Sequence, residues 1–178
     1  MNISNVLSTG QPIWGWGRAA DLISFQIGKE RTVTDRHGLP KTVGEFALHI
    51  QCPWRVTQNE KLLVGSGDLH YGPDGNPLLN FDSARMGSTR CDVLLDRLFQ
   101  ASGALRISTA SMNGAGLLKL DLTGDICVEV FPETSADHEH WRIFAPYTGR
   151  PHMIAKGVGI REESQKSGTD GTDPIPDT

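Results

Sequence analysis

Six histidines are the first residues of this sequence with chemistry to offer: His37, His49, His70, His138, His140 and His152. Imidazole changes charge near neutral pH and is a common metal ligand. His138-Glu139-His140 stands just before an apolar segment. On an extended chain that spacing sets both rings on one side. His49 or His152 would then be the third ligand of a zinc-like ion. There is no His-Glu-x-x-His and no cysteine beside the pair. With Asp137 and Glu139 around them, these histidines read as residues of a polar turn, so no metal and no cofactor is expected.

A second constellation lies between Phe46 and Val56. Phe46, Leu48, Ile50, Cys52, Trp54 and Val56 alternate with Ala47, His49, Gln51, Pro53 and Arg55. Such alternation predicts one long strand. Its bulky side chains turn inward, and His49, Gln51 and Arg55 project together from the other face. Arg55 has the planar fork that grips a carboxylate or phosphate, and His49 could act as acid or base. Pro53 removes a ladder donor, which places the strand at an edge or at a bulge.

Other motifs fall short. Asp68, His70, Asp74 and Asn76 suggest a calcium loop, but no closing Glu follows. Gly65-Ser-Gly67, Gly114-Ala-Gly116 and Gly157-Val-Gly159 do not open a helix after a strand, so they do not predict phosphate binding. A Gly-x-Ser-x-Gly nucleophile turn is missing. Cys52, Cys91 and Cys127 show no Cys-x-x-Cys spacing and read as small apolar residues of a reducing compartment. The net charge of -4, from 17 Lys+Arg against 21 Asp+Glu, argues against a phosphate-backbone partner.

The elements that must position these residues are mostly strands. Trp14-Gly-Trp-Gly-Arg18 reads as a loop entering a strand at Leu22 to Gly28, and His37-Gly-Leu-Pro40 as a further loop. Leu62 to Val64 returns from Phe46–Val56 around Gln58-Asn59-Glu60. Gly65 to Gly67 bends the chain, and Gly72 to Pro77 is a loop. One helix is expected at about Thr89 to Ser102, capped by Ser88 or Thr89 and carrying Asp92 in its first turn. Its buried stripe is Leu94, Leu95, Leu98 and Phe99, and Gly103 would stop it. Strands follow at Leu105 to Ala110, Leu117 to Thr123 and Ile126 to Phe131. A three-residue loop, Thr123 to Asp125, sets Leu122 opposite Ile126, Leu120 opposite Val128 and Leu118 opposite Val130. That register buries one coherent face. A last hairpin pairs Trp141 to Ala145 with His152 to Val158.

The expected fold is therefore α+β: a curved, mainly antiparallel sheet of about seven to nine strands packed on one main helix. Residues 1–161 form the domain, and 162–178 read as a disordered acidic tail, poor in large apolar side chains. No run approaches the ~18 apolar residues of a membrane span, and the first ten residues lack the pattern of a signal peptide. The expectation is a cytoplasmic protein.

Ala47-Leu-His-Ile-Gln-Cys-Pro-Trp-Arg55, preceded by Gly17-Arg-Ala-Ala-Asp21 and followed late by Trp141-Arg142, resembles a family of small uncharacterised bacterial proteins. The likeness spans most of residues 17–145. It implies a bacterial single-domain fold and, with no activity attached to that family, transfers no catalytic residue.

The functional expectation is a non-catalytic interaction domain, of an immunity or regulatory type in a bacterium. Its partner would be another protein rather than nucleic acid or membrane, and self-association stays open. Its contact residues would be His49, Gln51, Arg55, Trp54 and Trp141. One alternative is a small hydrolase using His49 and Arg55, or a His138/His140 metal site. Another is a small-molecule sensor with a pocket between sheet and helix, lined by Trp54 and Trp141.

Overall fold

The computed structural model describes residues 3–35, 37–79, 85–102 and 105–164. Its strands are β1 (Pro12–Ala19), β2 (Leu22–Ile27), β3 (Arg31–Thr34), β4 (Pro40–Val43), β5 (Phe46–Ile50), β6 (Trp54–Gln58) and β7 (Lys61–Gly65). After helix α1 (Arg90–Ser102) come β8 (Leu105–Met112), β9 (Leu118–Leu122), β10 (Ile126–Val130), β11 (Glu139–Phe144), β12 (His152–Lys156) and β13 (Gly159–Glu163). The fold is α+β, with antiparallel ladders and this one α-helix among the described residues. Among the described residues no helix is long and apolar enough to cross a membrane.

Eleven strands form one hydrogen-bonded order, β13-β12-β11-β5-β2-β1-β8-β9-β10-β6-β7, while β3 and β4 make a separate hairpin. This corrects the expectation of seven to nine strands in one curved sheet. The order does not close on itself, and it divides into two halves joined weakly. At the junction β1 meets β8 through two pairs, Pro12 with Arg106 and Ile13 with Leu105. Phe25 on β2 and Trp54 on β6 stand five places apart in the order, which would be about 24 Å in a flat sheet. Their rings instead meet edge to face at 6.4 Å. The halves therefore lie face to face as two layers around one core. The first layer contributes Ile23, Phe25, Ile27, Leu48, Ile50 and Trp141, and the second Trp54, Val56, Val64, Leu118, Leu120 and Val128.

The extra strands have physical reasons. Trp14-Gly-Trp-Gly-Arg18 is not a loop but the middle of β1, where Gly15 faces Gln26 and Gly17 faces Ser24. A Cβ at Gly17 would come 3.1 Å from the Ser24 hydroxyl oxygen, so glycine is what lets those strands approach. At the far edge, Glu162 and Glu163 pair with Met153 and His152. The two residues that opened the expected tail thus belong to the sheet, while residues 165–178 lie outside the described residues.

The long strand expected over Phe46–Val56 is two strands. β5 ends at Ile50, a bend carries Gln51 to Pro53, and β6 starts at Trp54. Pro53 has no N–H for a ladder, and its carbonyl oxygen accepts from the Phe131 N–H at 2.8 Å. β5 then lies between β2 and β11 in the first layer, whereas β6 lies between β10 and β7 in the second.

The β9–β10 hairpin has the register expected of a three-residue loop, with Leu122 opposite Ile126, Leu120 opposite Val128 and Leu118 opposite Val130. The helix start is also as read. The Asp92 N–H donates to the Thr89 hydroxyl and the Thr89 N–H to the Asp92 carboxylate, each at 3.1 Å, which satisfies two end donors reciprocally. Leu95 is fully buried, with Leu94, Leu98 and Phe99 packed against the core beside it. Gly103 lies outside the described residues. Trp16 ties β1 to the helix through its indole N–H, 3.1 Å from Asp96.

Candidate functional site

Because the inner faces share a core, the outer faces of the two layers look away from each other. His49 belongs to the outer face of the first layer and Arg55 to that of the second. Gln51 lies in the bend between them, exposed, its backbone N–H donating to the His140 carbonyl. The three expected surface partners are therefore not brought together. Trp54 and Trp141 are core residues. The Trp54 ring packs on Phe25 with its buried indole nitrogen unpartnered, and the Trp141 N–H donates to the Gly116 carbonyl at 2.7 Å.

His49 is 3% exposed, which corrects the expectation of a solvent-facing imidazole. It stands between Ser24 on β2 and Arg142 on β11. Its ring meets the Phe144 ring edge-on at 4.7 Å, and the other neighbour of Phe144 is the His152 ring, stacked at 4.7 Å. Its Nε2 is buried without a hydrogen-bond partner. Desolvation, then the positive charge of Arg142 and the nearby His152, lowers the pKa of His49 to about 4. The ring is neutral at physiological pH and sealed from solvent. Arg142 is held by Glu139, Nε to Oε1 at 2.6 Å, and its Nη1 lies 3.2 Å from His152 Nδ1. A guanidinium only donates, so Nδ1 must accept, which sets the His152 tautomer.

His138 and His140 do not form a ligand pair. Their rings are perpendicular at 5.9 Å, and His140 Nε2 lies 2.9 Å from the Thr134 carbonyl, to which it must donate. No group of three or more His, Cys, Asp or Glu able to hold a metal occurs among the described residues. The Asp74 carboxylate closes its own turn onto Asn76. Burial pushes the thiols of Cys52 and Cys91 up to about 12 and that of Cys127 to about 11, so none is an activated nucleophile.

The outer face of the second layer is different. An open groove of about 1110 Å³ runs over β6, β10 and β9. One rung sets Arg55, Glu129 and Lys119 side by side, and the next sets Thr57, Cys127 and Asp121. Arg55 Nε bonds Glu129 at 2.7 Å, and its guanidinium also sits 5.1 Å over the Phe131 ring. Lys119 pairs with Asp121 at 3.0 Å, and the Thr109 hydroxyl donates to the same carboxylate at 2.7 Å. These bonds, the Thr109 hydroxyl first, hold the Asp121 carboxyl below its ordinary range. Beside the rungs Leu62 is 65% exposed on β7, the last strand of the order.

The groove ends at two turns that sequence reasoning did not single out as functional. Gln58 pairs with Lys61, so Asn59 and Glu60 form a two-residue turn, and both have positive φ, 46° and 65°. That turn type favours Asn-Gly. Asp125, in the β9–β10 turn, also has positive φ, 56°. The turns are joined by the Asn59 N–H donating to the Asp125 carbonyl at 3.2 Å and by the Gln58 amide donating to the Gly124 carbonyl at 3.0 Å. Glutamate in a left-handed position costs about 1 kcal/mol that glycine would not. Glu60→Gly should therefore raise stability by about that amount, read as a higher urea midpoint at unchanged slope. A variant less stable than wild type would contradict the turn assignment. Comparison with protein-family models, curated proteins and solved structures found nothing that matches this chain.

Proposed function

We propose that this chain is a non-catalytic interaction domain that takes a partner protein on the outer face of β6, β10 and β9. The observation that carries the reading is the exposed Leu62 beside rungs whose charges are already matched to one another. Arg55 is committed to Glu129 and Lys119 to Asp121, so the rungs themselves keep no free cation or carboxylate to grip a small substrate. A small-molecule site is usually concave, largely enclosed and apolar. A broad open face of paired charges with an exposed leucine at its edge is suited instead to the extended, charge-complementary surface of another protein. Capturing partners from the native host with wild type, Leu62→Asp and Leu39→Asp tests this. Leu39 is an equally exposed leucine, at 61%, next to the β3–β4 hairpin. A protein retained by wild type and Leu39→Asp but lost by Leu62→Asp is the expected result. Equal retention by all three would overturn the assignment of the surface.

A further inference from the structure

The charges around the groove are not balanced. Two cations, Arg55 and Lys119, stand against four carboxylates, Glu60, Asp121, Asp125 and Glu129. Glu129 and Asp121 take the two cations. The remaining two, Glu60 and Asp125, are exposed at the turn end of the groove, and neither has an ion pair among the described residues. The linked turns hold the two backbones together, so the carboxylates share one end next to Leu62, where the exposed Lys61 does not line the groove and the excess stays negative.

We propose that the occupant of the groove is a short basic segment of the partner protein, its Lys or Arg side chains meeting Glu60 and Asp125 and its apolar side chain covering Leu62. The inference rests on the reading of the groove as the contact surface. A second copy of this chain fits less well, because it would bring the same excess of carboxylates and a net charge of -4 to the same face. Opposite charge at the margin speeds encounter and selects against acidic partners. Ion pairs at such an exposed margin contribute modestly, so two of them together are worth about tenfold in affinity.

The test uses two blocked synthetic peptides, Lys-Lys-Leu-Leu-Lys-Lys and Glu-Glu-Leu-Leu-Glu-Glu, titrated into the isotope-labelled full chain and followed by amide chemical shifts. The expected result is saturable shifts at Glu60, Leu62, Asp125 and Cys127 with the Lys peptide alone. Affinity should fall about tenfold in the Glu60→Gln/Asp125→Asn variant and fall again as salt is raised. Both substitutions keep size and shape at exposed turns, and the variant's unperturbed spectrum elsewhere verifies its fold. Equal groove shifts with both peptides, or no loss in the variant, would overturn the charge selection. Concentration-dependent shifts at the same amides without peptide would put a second copy in the groove and overturn the inference too. Absence of groove shifts with either peptide also overturns it. The contact surface itself then stands or falls separately, on capture by Leu62→Asp.

Discussion

Replacing Arg18 with alanine is expected to destabilise the protein by about 3–5 kcal/mol, a large share of the stability of a domain this size. Arg18 is the last residue but one of β1 and Asp92 sits in the first turn of the helix, and both side chains are fully buried. The guanidinium binds the carboxylate through two bonds, Nε to Oδ1 at 2.8 Å and Nη2 to Oδ2 at 3.1 Å. Its other donors reach the carbonyls of Ala20 and Arg85 at 2.9 and 2.8 Å. Cutting one partner strands the other as a bare charge in the interior and leaves those carbonyls short of a donor. Asp92→Ala should cost a similar amount and also loses the acceptor for the Thr89 N–H. The double replacement Arg18→Ala/Asp92→Ala should be less destabilised than the sum of the two single losses, because no charge is left unpaired. Urea unfolding of the four proteins gives the coupling directly. Single variants within about 1 kcal/mol of wild type would mean that the pair does not hold the helix to the sheet.

Acidification should reveal the buried imidazole. His49 binds a proton near pH 4 in the folded chain but near its ordinary 6.5 when unfolded. Between those values the unfolded chain takes up the proton first, so acid favours unfolding. The contribution is fully present above pH 6.5, is lost progressively as pH falls towards 4, and totals about 3 kcal/mol. The carboxylates held below their ordinary range, Asp74, Asp121 and Glu163, act in a lower window. Their stabilisation is complete above unfolded values of 3.8 and 4.5 and is lost beneath them. The decline from pH 6.5 to about 4.5 therefore carries the His49 contribution. His49→Leu should flatten that stretch of the stability curve while leaving the steeper loss below it. A variant as acid-sensitive as wild type between pH 6.5 and 4.5 would show that the imidazole reaches solvent.

The sequence made some of this plain and concealed the rest for a physical reason. The β9–β10 register could be read because one alignment alone buried all the leucines and valines on one face. The helix start could be read because Thr89 and Asp92 satisfy backbone donors locally. The break between β5 and β6 could not. Leu48, Ile50, Cys52, Trp54 and Val56 all turn into the same core although the chain passes from one layer to the other at Pro53. An alternation of two survives such a corner, so the pattern imitates one long strand. The same corner parts His49 from Arg55, and the burial of His49 depends on Phe144, Arg142 and His152, which come from strands far along the chain. Arg55 was legible as a surface residue, but its neutralisation by Glu129 depended on the pairing of β6 with β10. The groove's acidic end was hidden because both turns could be read but their meeting, through the Asn59 N–H and the Gln58 amide, depends on the pairing of β6 with β10.

The outer face of β6, β10 and β9 is where the partner is proposed to bind. A photoreactive side chain placed at position 62, and in parallel proteins at Gln26 on the opposite outer face and at Leu39, tests it most directly inside the native host. One covalent adduct is expected from position 62, absent from the other two and weaker when Glu60 and Asp125 are replaced by Gln and Asn. An adduct from Gln26 with none from position 62 would rule out the groove as the contact and move it to the histidine side of the fold.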